Sequence, residues 1–197
     1  SVNETLPDNS IRLHYFNQDP ILKGTEYKTT IYDTNGNLIR EDINTFTYSP
    51  ENMIYLNETS SQIYDDSSTS FITNVTYDYD FYGNVKQINN LGDVATIGDE
   101  KLEVFDYIYN TTSFVVNKPA NYTLFSDDNS TIIKQVYYSY DNQTSDISLG
   151  ELTKIETFNN LGLDPIIQYA YNSYGNIITQ TDPLGHTTSY TYDSTGT

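Results

Sequence analysis

The chain contains no cysteine and no tryptophan. Disulfides therefore do not hold the fold, and stability must rest on backbone pairing and packing. Prolines number six and basic side chains only 9, against 27 acidic ones, a formal net charge of -18. Such a surface repels phosphates and anionic lipids, which makes nucleic acid a poor partner. The acidic excess keeps the chain soluble, with cations screening it or a saline habitat selecting it. No apolar run has the length a membrane-spanning helix needs, so no direct membrane insertion is expected. No long stretch carries a helical period, so almost no helix is expected either.

What is abundant is tyrosine, twenty in 197 residues. Its ring packs on a half-buried strand face while its hydroxyl reaches a polar partner. The tyrosines recur in a pattern. Tyr171-Asn172-Ser173-Tyr174-Gly175 is followed by Thr181-Asp182-Pro183-Leu184-Gly185, then by Tyr192-Asp193-Ser194-Thr195-Gly196. Tyr171 to Tyr192 and Gly175 to Gly196 share a 21-residue period, the mark of a repeat architecture. Earlier copies are Tyr32-Asp33-Thr34-Asn35-Gly36, Tyr79-Asp80-Phe81-Tyr82-Gly83, and Tyr140-Asp141, which reaches its glycine late, at Gly150. A second element, Asn90-Leu91-Gly92, Asn160-Leu161-Gly162 or Pro183-Leu184-Gly185, follows one strand later.

These glycines and asparagines accept the positive φ that tight strand-to-strand turns demand. Between them lie stretches rich in β-branched and aromatic residues, such as Asn176–Thr181 and Thr187–Tyr192. In the Asp-Pro-Leu-Gly segment, Pro183 presets φ and Gly185 takes the left-handed conformation. The reading is an all-β chain of strand-turn-strand units forming a curved spiral sheet, a shell or solenoid. One domain over residues 1–197 is expected, clearest at 31–49, 77–97 and 138–197 and drifted over 98–137. Ile11–Phe16 reads as an edge strand after a polar leader. Leu102–Tyr109, Phe114–Val116 and Tyr122–Phe125 read as strands, Asp127–Asn129 as a turn and Asp65–Ser70 as an exposed loop.

The stretch from Tyr169 to Gly196 resembles the RHS/YD-repeat family: paired tyrosines, an acid or amide after the second, a glycine shortly beyond, then Asp-Pro-Leu-Gly. The resemblance implies a large secreted or cell-surface protein whose repeats wind into a spiral sheet. In bacterial toxins of the family that sheet closes into a shell around an effector, and in teneurins it is a surface module. The family's arginine-rich core motif is absent here, so no self-cleavage residue is carried over.

Chemistry has few footholds. Asp33, Asn35 and Asn37 place oxygens at alternate positions as calcium loops do, and Asp78 and Asp80 are spaced alike. The glycine falls too early for an EF-hand and no glutamate closes the loop, so turn chemistry is the preferred reading and calcium the minority one. His14 and His186, without cysteine, do not make an ordinary zinc site and read as exposed or packing residues. No Gly-x-Ser-x-Gly elbow occurs, and no carboxylate pair stands out, so no enzyme is expected. Sequons sit at Asn3, Asn57, Asn74, Asn110, Asn121, Asn129 and Asn142.

The expected function is a structural scaffold whose partners are neighbouring repeats or copies of itself. A self-assembling filament subunit and a glycan-binding adhesin using exposed tyrosines are the alternatives. The chain begins at Ser1 and ends just past a repeat glycine, so it is read as a processed product or excised piece with open repeat ends.

Overall fold

A computed structural model describes residues 1–49, 53–65, 70–158 and 162–193. Among them every regular element is a β-strand, and every strand pairing with a resolved register is antiparallel. No helix among the described residues is long and apolar enough to cross a membrane. The chain divides into two compact units, Ser1–Leu102 with Ser126–Thr131, and Glu103–Phe125 with Ile132–Thr197.

In the first unit seven strands follow one another in chain order: β1 (Val2–Thr5), β2 (Ile11–Phe16), β3 (Glu26–Tyr32), β4 (Leu38–Tyr48), β5 (Ile54–Tyr64), β6 (Ser70–Tyr79) and β7 (Val85–Asp93). Each pairs with the next, from Val2 opposite His14 to Tyr79 opposite Val85. Two expectations need correction. The polar leader contains strand β1, and β2 is flanked on both sides rather than forming an edge. A strand as polar as Val-Asn-Glu-Thr has no apolar alternation to reveal it; its backbone ladder to β2 holds it, with the Glu4 carboxylate beside Arg12 and His14.

Among its described residues this unit has no hydrophobic core. Its only buried side chains among the described residues are polar, Ser10 and Thr30. Large apolar side chains lie open on its strands, among them Ile43, Ile63 and Phe71. Ile63 and Phe71 face each other across β5 and β6 as an exposed cross-strand pair.

The second unit contains β8 (Lys101–Asn110, from Glu103 onward), β9 (Val115–Phe125), β10 (Ile132–Tyr140), β11 (Leu152–Thr157), β12 (Ile166–Tyr171), β13 (Ile177–Thr181) and β14 (Thr187–Ser189), again in chain order. The two strands expected around Phe114–Val116 and Tyr122–Phe125 are one continuous strand, β9. Pro119 lies within it, outside the ladder to β10, which runs from Asn121 to Phe125. β14 ends at Ser189, shorter than the expected Thr187–Tyr192, although the Tyr190 amide still donates to the Ile178 carbonyl. Here a small core exists: Ile108, Val115, Tyr140 and Ile147, flanked by Ala120, Tyr138 and Leu152.

Candidate functional site

The repeated chemistry of this chain is a turn, and four copies share one geometry. In the first, the Asp33 amide donates to the Asn37 carbonyl (2.9 Å) and the Gly36 amide to the Asp33 carbonyl (3.1 Å). One carboxylate oxygen of Asp33 accepts from the amides of Asn35 (2.9 Å) and Asn37 (2.7 Å), and the other from the Asn37 side chain (2.9 Å). Gly36 has φ +86°. This is a three-residue hairpin loop in which the glycine occupies the left-handed position after the turn.

Asp80 repeats every element. Its amide donates to the Asn84 carbonyl, its carbonyl accepts from Gly83, and its carboxylate accepts from Tyr82, Asn84 and the Asn84 side chain. Asn172 does the same with an amide oxygen, capping the amides of Tyr174 and Asn176. Asp182 caps Leu184 and His186, and the His186 ring nitrogen Nδ1 stands 2.9 Å from its second oxygen. The closing residue is therefore Asn37, Asn84, Asn176 or His186. The signal for it lies in the sequence, directly after each glycine.

The tyrosine before the turn has its own position. Tyr32 opposes Leu38, Tyr79 opposes Val85, Tyr140 opposes Leu152 and Tyr171 opposes Ile177, and in each case the register shifts between the tyrosine and the residue before it. At Asp182, where Thr181 replaces the tyrosine, the register to β14 runs on without a shift. A bulge thus accompanies the tyrosine turns and is missing from the Asp-Pro-Leu-Gly turn. Three of the tyrosines reach back to the preceding strand. The hydroxyls of Tyr79, Tyr171 and Tyr192 donate to the carbonyls of Leu56 (2.9 Å), Leu152 (2.8 Å) and Ile177 (2.8 Å). In the second unit these bonds make a ladder, because Leu152 and Ile177 each directly follow the turn before.

Asp141 opens an enlarged version. Its amide donates to the Glu151 carbonyl (2.8 Å), as though the turn closed immediately. Residues Asn142–Ile147 are inserted, and Ser148, Leu149 and Gly150 donate their amides to one carboxylate oxygen of Asp141 while Glu151 donates to the other. Burial pushes this carboxyl up, and the four backbone donors outweigh it and hold it below the usual range. The insertion ends in Ile147, which is 0% exposed and packs into the core.

The remaining sequence candidates are scattered. Asp33 is held below its ordinary range first by the Asn37 side chain, then by the Asn37 amide, so both its oxygens serve the turn. Both carboxylate oxygens of Asp80 also accept bonds within their turn, whereas Asp78 lies on β6 opposite Gln87. Among the described residues no three His, Cys, Asp or Glu side chains converge as a metal cluster. His14 sits on β2 with Nδ1 2.6 Å from Glu26 and Nε2 3.4 Å from Glu4. The bond to Glu26 raises its basicity most, burial opposes it, and Glu4 adds to the rise. His186 is an exposed turn residue. Gly92 lies within β7 at a register shift rather than in a turn. Asp193 follows the last described strand, and Gly196, Asn160, Leu161 and most of the Asp65–Ser70 loop lie outside the described residues.

Residues 171–197, spanning the Asn172 and Asp182 turns, match the family model described as RHS Repeat. The resemblance read from the tyrosine motifs is borne out over this segment. Among solved structures, the chain resembles the crystal structure of TcdB2-TccC3-TEV, at 11% identity and TM-score 0.32, covering 92% of this chain and 11% of that one. It also resembles a structure of the Photorhabdus luminescens Tc holotoxin pore, at 15% identity and TM-score 0.39, covering 91% of this chain and 11% of that one. The chain thus spans about 11% of the length of the solved chains it matches. No curated protein matches it.

Proposed function

We propose that this chain is a length of structural wall in a larger RHS-repeat protein, non-catalytic, secreted or displayed at the cell surface, where it encloses or presents other domains. The observation that carries the reading is the RHS repeat at residues 171–197, whose turn geometry recurs at Asp33 and Asp80. Repeats of this kind build stiff, extendable surfaces, because each unit buries its apolar face on a neighbour.

Two features support it. The first unit has no buried apolar side chain among its described residues, so its faces call for cover that the unit does not supply. Three of the four turn tips are apolar and open: Phe81 is 70%, Tyr174 80% and Leu184 82% exposed. Such positions suit contacts with neighbouring repeats.

The test compares the isolated chain with a parent polypeptide that carries flanking repeats. The isolated chain should bind an apolar dye and form small discrete particles in negative-stain electron microscopy at all concentrations. Flanking repeats should suppress the dye signal and raise the melting temperature. A dye-silent, independently stable chain, or concentration-dependent filaments, would overturn the wall reading.

A further inference from the structure

The seven sequons are not equivalent in the fold. The side-chain amides of Asn110 and Asn121 are committed, donating to the Ile147 carbonyl (2.8 Å) and to Asp106 (2.8 Å). Asn74 is half-buried with its side-chain oxygen enclosed. Asn129 and Asn142 stand at positive φ inside turns. Asn3 is exposed on β1, with no aromatic residue before it.

Asn57 differs from all of these. On β5, Leu56 opposes Phe46 and Glu58 opposes Thr45, which leaves Asn57 as the extra residue of a bulge. A bulge re-aims a side chain out of the ladder, and Asn57 is exposed. The bulge is pinned by the Tyr79 hydroxyl on the Leu56 carbonyl, the bond immediately before Asn57. Asn57 lines a groove of about 410 Å³ together with Tyr55, Tyr77, Tyr79 and Phe81. The Tyr55 and Tyr79 rings pack 4.7 Å apart, so the aromatic floor is already organised. A ring beside a free amide in a sequon is a seat for the sugar that the amide would carry, whose C–H face packs on the aromatic surface.

We propose that Asn57 is an N-glycosylation site whose first sugar rests on the Tyr55 ring. Transfer forms a bond from the Asn57 side-chain nitrogen to the anomeric carbon of an oligosaccharide carried on a polyprenyl pyrophosphate. The bond from that carbon to the pyrophosphate oxygen breaks, the lipid pyrophosphate leaves with the electron pair, and the amide loses one proton. The sequon hydroxyl of Thr59 donates to Asn44 on β4 (2.9 Å). It is therefore available to a transferase only before β4 and β5 pair, which makes the unfolded chain the acceptor.

The test is glycopeptide mass spectrometry on the chain secreted from a eukaryotic cell, with melting measured before and after enzymatic removal of the glycan. In the folded, secreted chain the Asn57 peptide should be occupied and those of Asn110 and Asn121 bare, because a glycan added to either before folding would crowd out the bond its side chain makes in the fold, and Asn57→Gln should lose the Asn57 mass alone. Deglycosylation should lower the melting temperature of the wild type by about 2 °C and leave Tyr55→Ala unchanged. Tyr55→Leu, which keeps apolar bulk without a ring, serves the same comparison if the alanine variant is not secreted. A bare Asn57 peptide overturns the site, and an equal response of wild type and Tyr55 variants to deglycosylation overturns the seat.

Discussion

The Tyr171 hydroxyl donates to the Leu152 carbonyl at 2.8 Å, tying the tyrosine that opens one turn to the residue that leaves the turn before it. Tyr171→Phe keeps the ring and deletes only this bond. The loss should cost about 1 kcal/mol, which for a chain of this size lowers the melting temperature by about 2–4 °C. Calorimetry checks it, and a phenylalanine variant that melts like the wild type would mean that the hydroxyl is idle.

Gly185 has φ +86° with open space around it, so conformation rather than crowding restricts what can stand there. Gly185→Val should cost about 1–2 kcal/mol, because a β-branched residue is strained in the left-handed region. Gly162, exposed and with equal space but no positive φ, is the control. Its valine variant should be within about 0.5 kcal/mol of wild type. Denaturant midpoints for the two decide the matter.

Asp141 and Ile147 hold the same inserted segment from opposite ends. Asp141→Ala strands four backbone amides and should cost about 2–3 kcal/mol. Ile147→Ala removes a fully buried side chain from a small core and should cost about 2–5 kcal/mol. Because both act on one segment, the double variant should lose less than the sum of the two, and a strictly additive pair would show that they act separately.

Tyr140 and Tyr122 should ionise above the ordinary tyrosine range. Burial pushes both hydroxyls up to about 12, helped at Tyr140 by Tyr138 and at Tyr122 by its bond to Glu103. Their ordinary value, regained on unfolding, is near 10. The stability they contribute is therefore fully present below about pH 10 and is lost as pH rises toward 12. Phenolate absorbance should still be climbing as pH nears 12 and finish together with loss of strand circular dichroism. Ionisation of all twenty in one step near pH 10, with the fold intact, would contradict the burial of Tyr140.

Much of the turn architecture was legible because glycine and the acid before it are local signals. The Asp33, Asp80, Asn172 and Asp182 turns each depend on residues within four positions, so spacing was enough to find them. Strand β1 was not legible, because a polar edge strand is specified by its neighbour, through the backbone ladder and the Glu4 contacts with Arg12 and His14, and not by an alternation of its own. The continuity of β9 was hidden by Asn117-Lys118-Pro119, residues that disfavour strands in isolation. The tyrosine hydroxyl bonds were out of reach of sequence reasoning, since Tyr79 and Leu56 meet only once β5 and β6 are in register.

The Asp141 turn closes as the short ones do: Tyr140 still opposes the residue after the closing position, Leu152, and the same one-residue shift lies between Tyr140 and the residue before it. Loop length and strand register are therefore independent at this point. Residues 142–147 extend this turn while the β10–β11 register keeps the pattern of the short turns. Diversity can accumulate there, whether by natural variation or by grafting a foreign peptide, and the scaffold need not be redesigned to receive it.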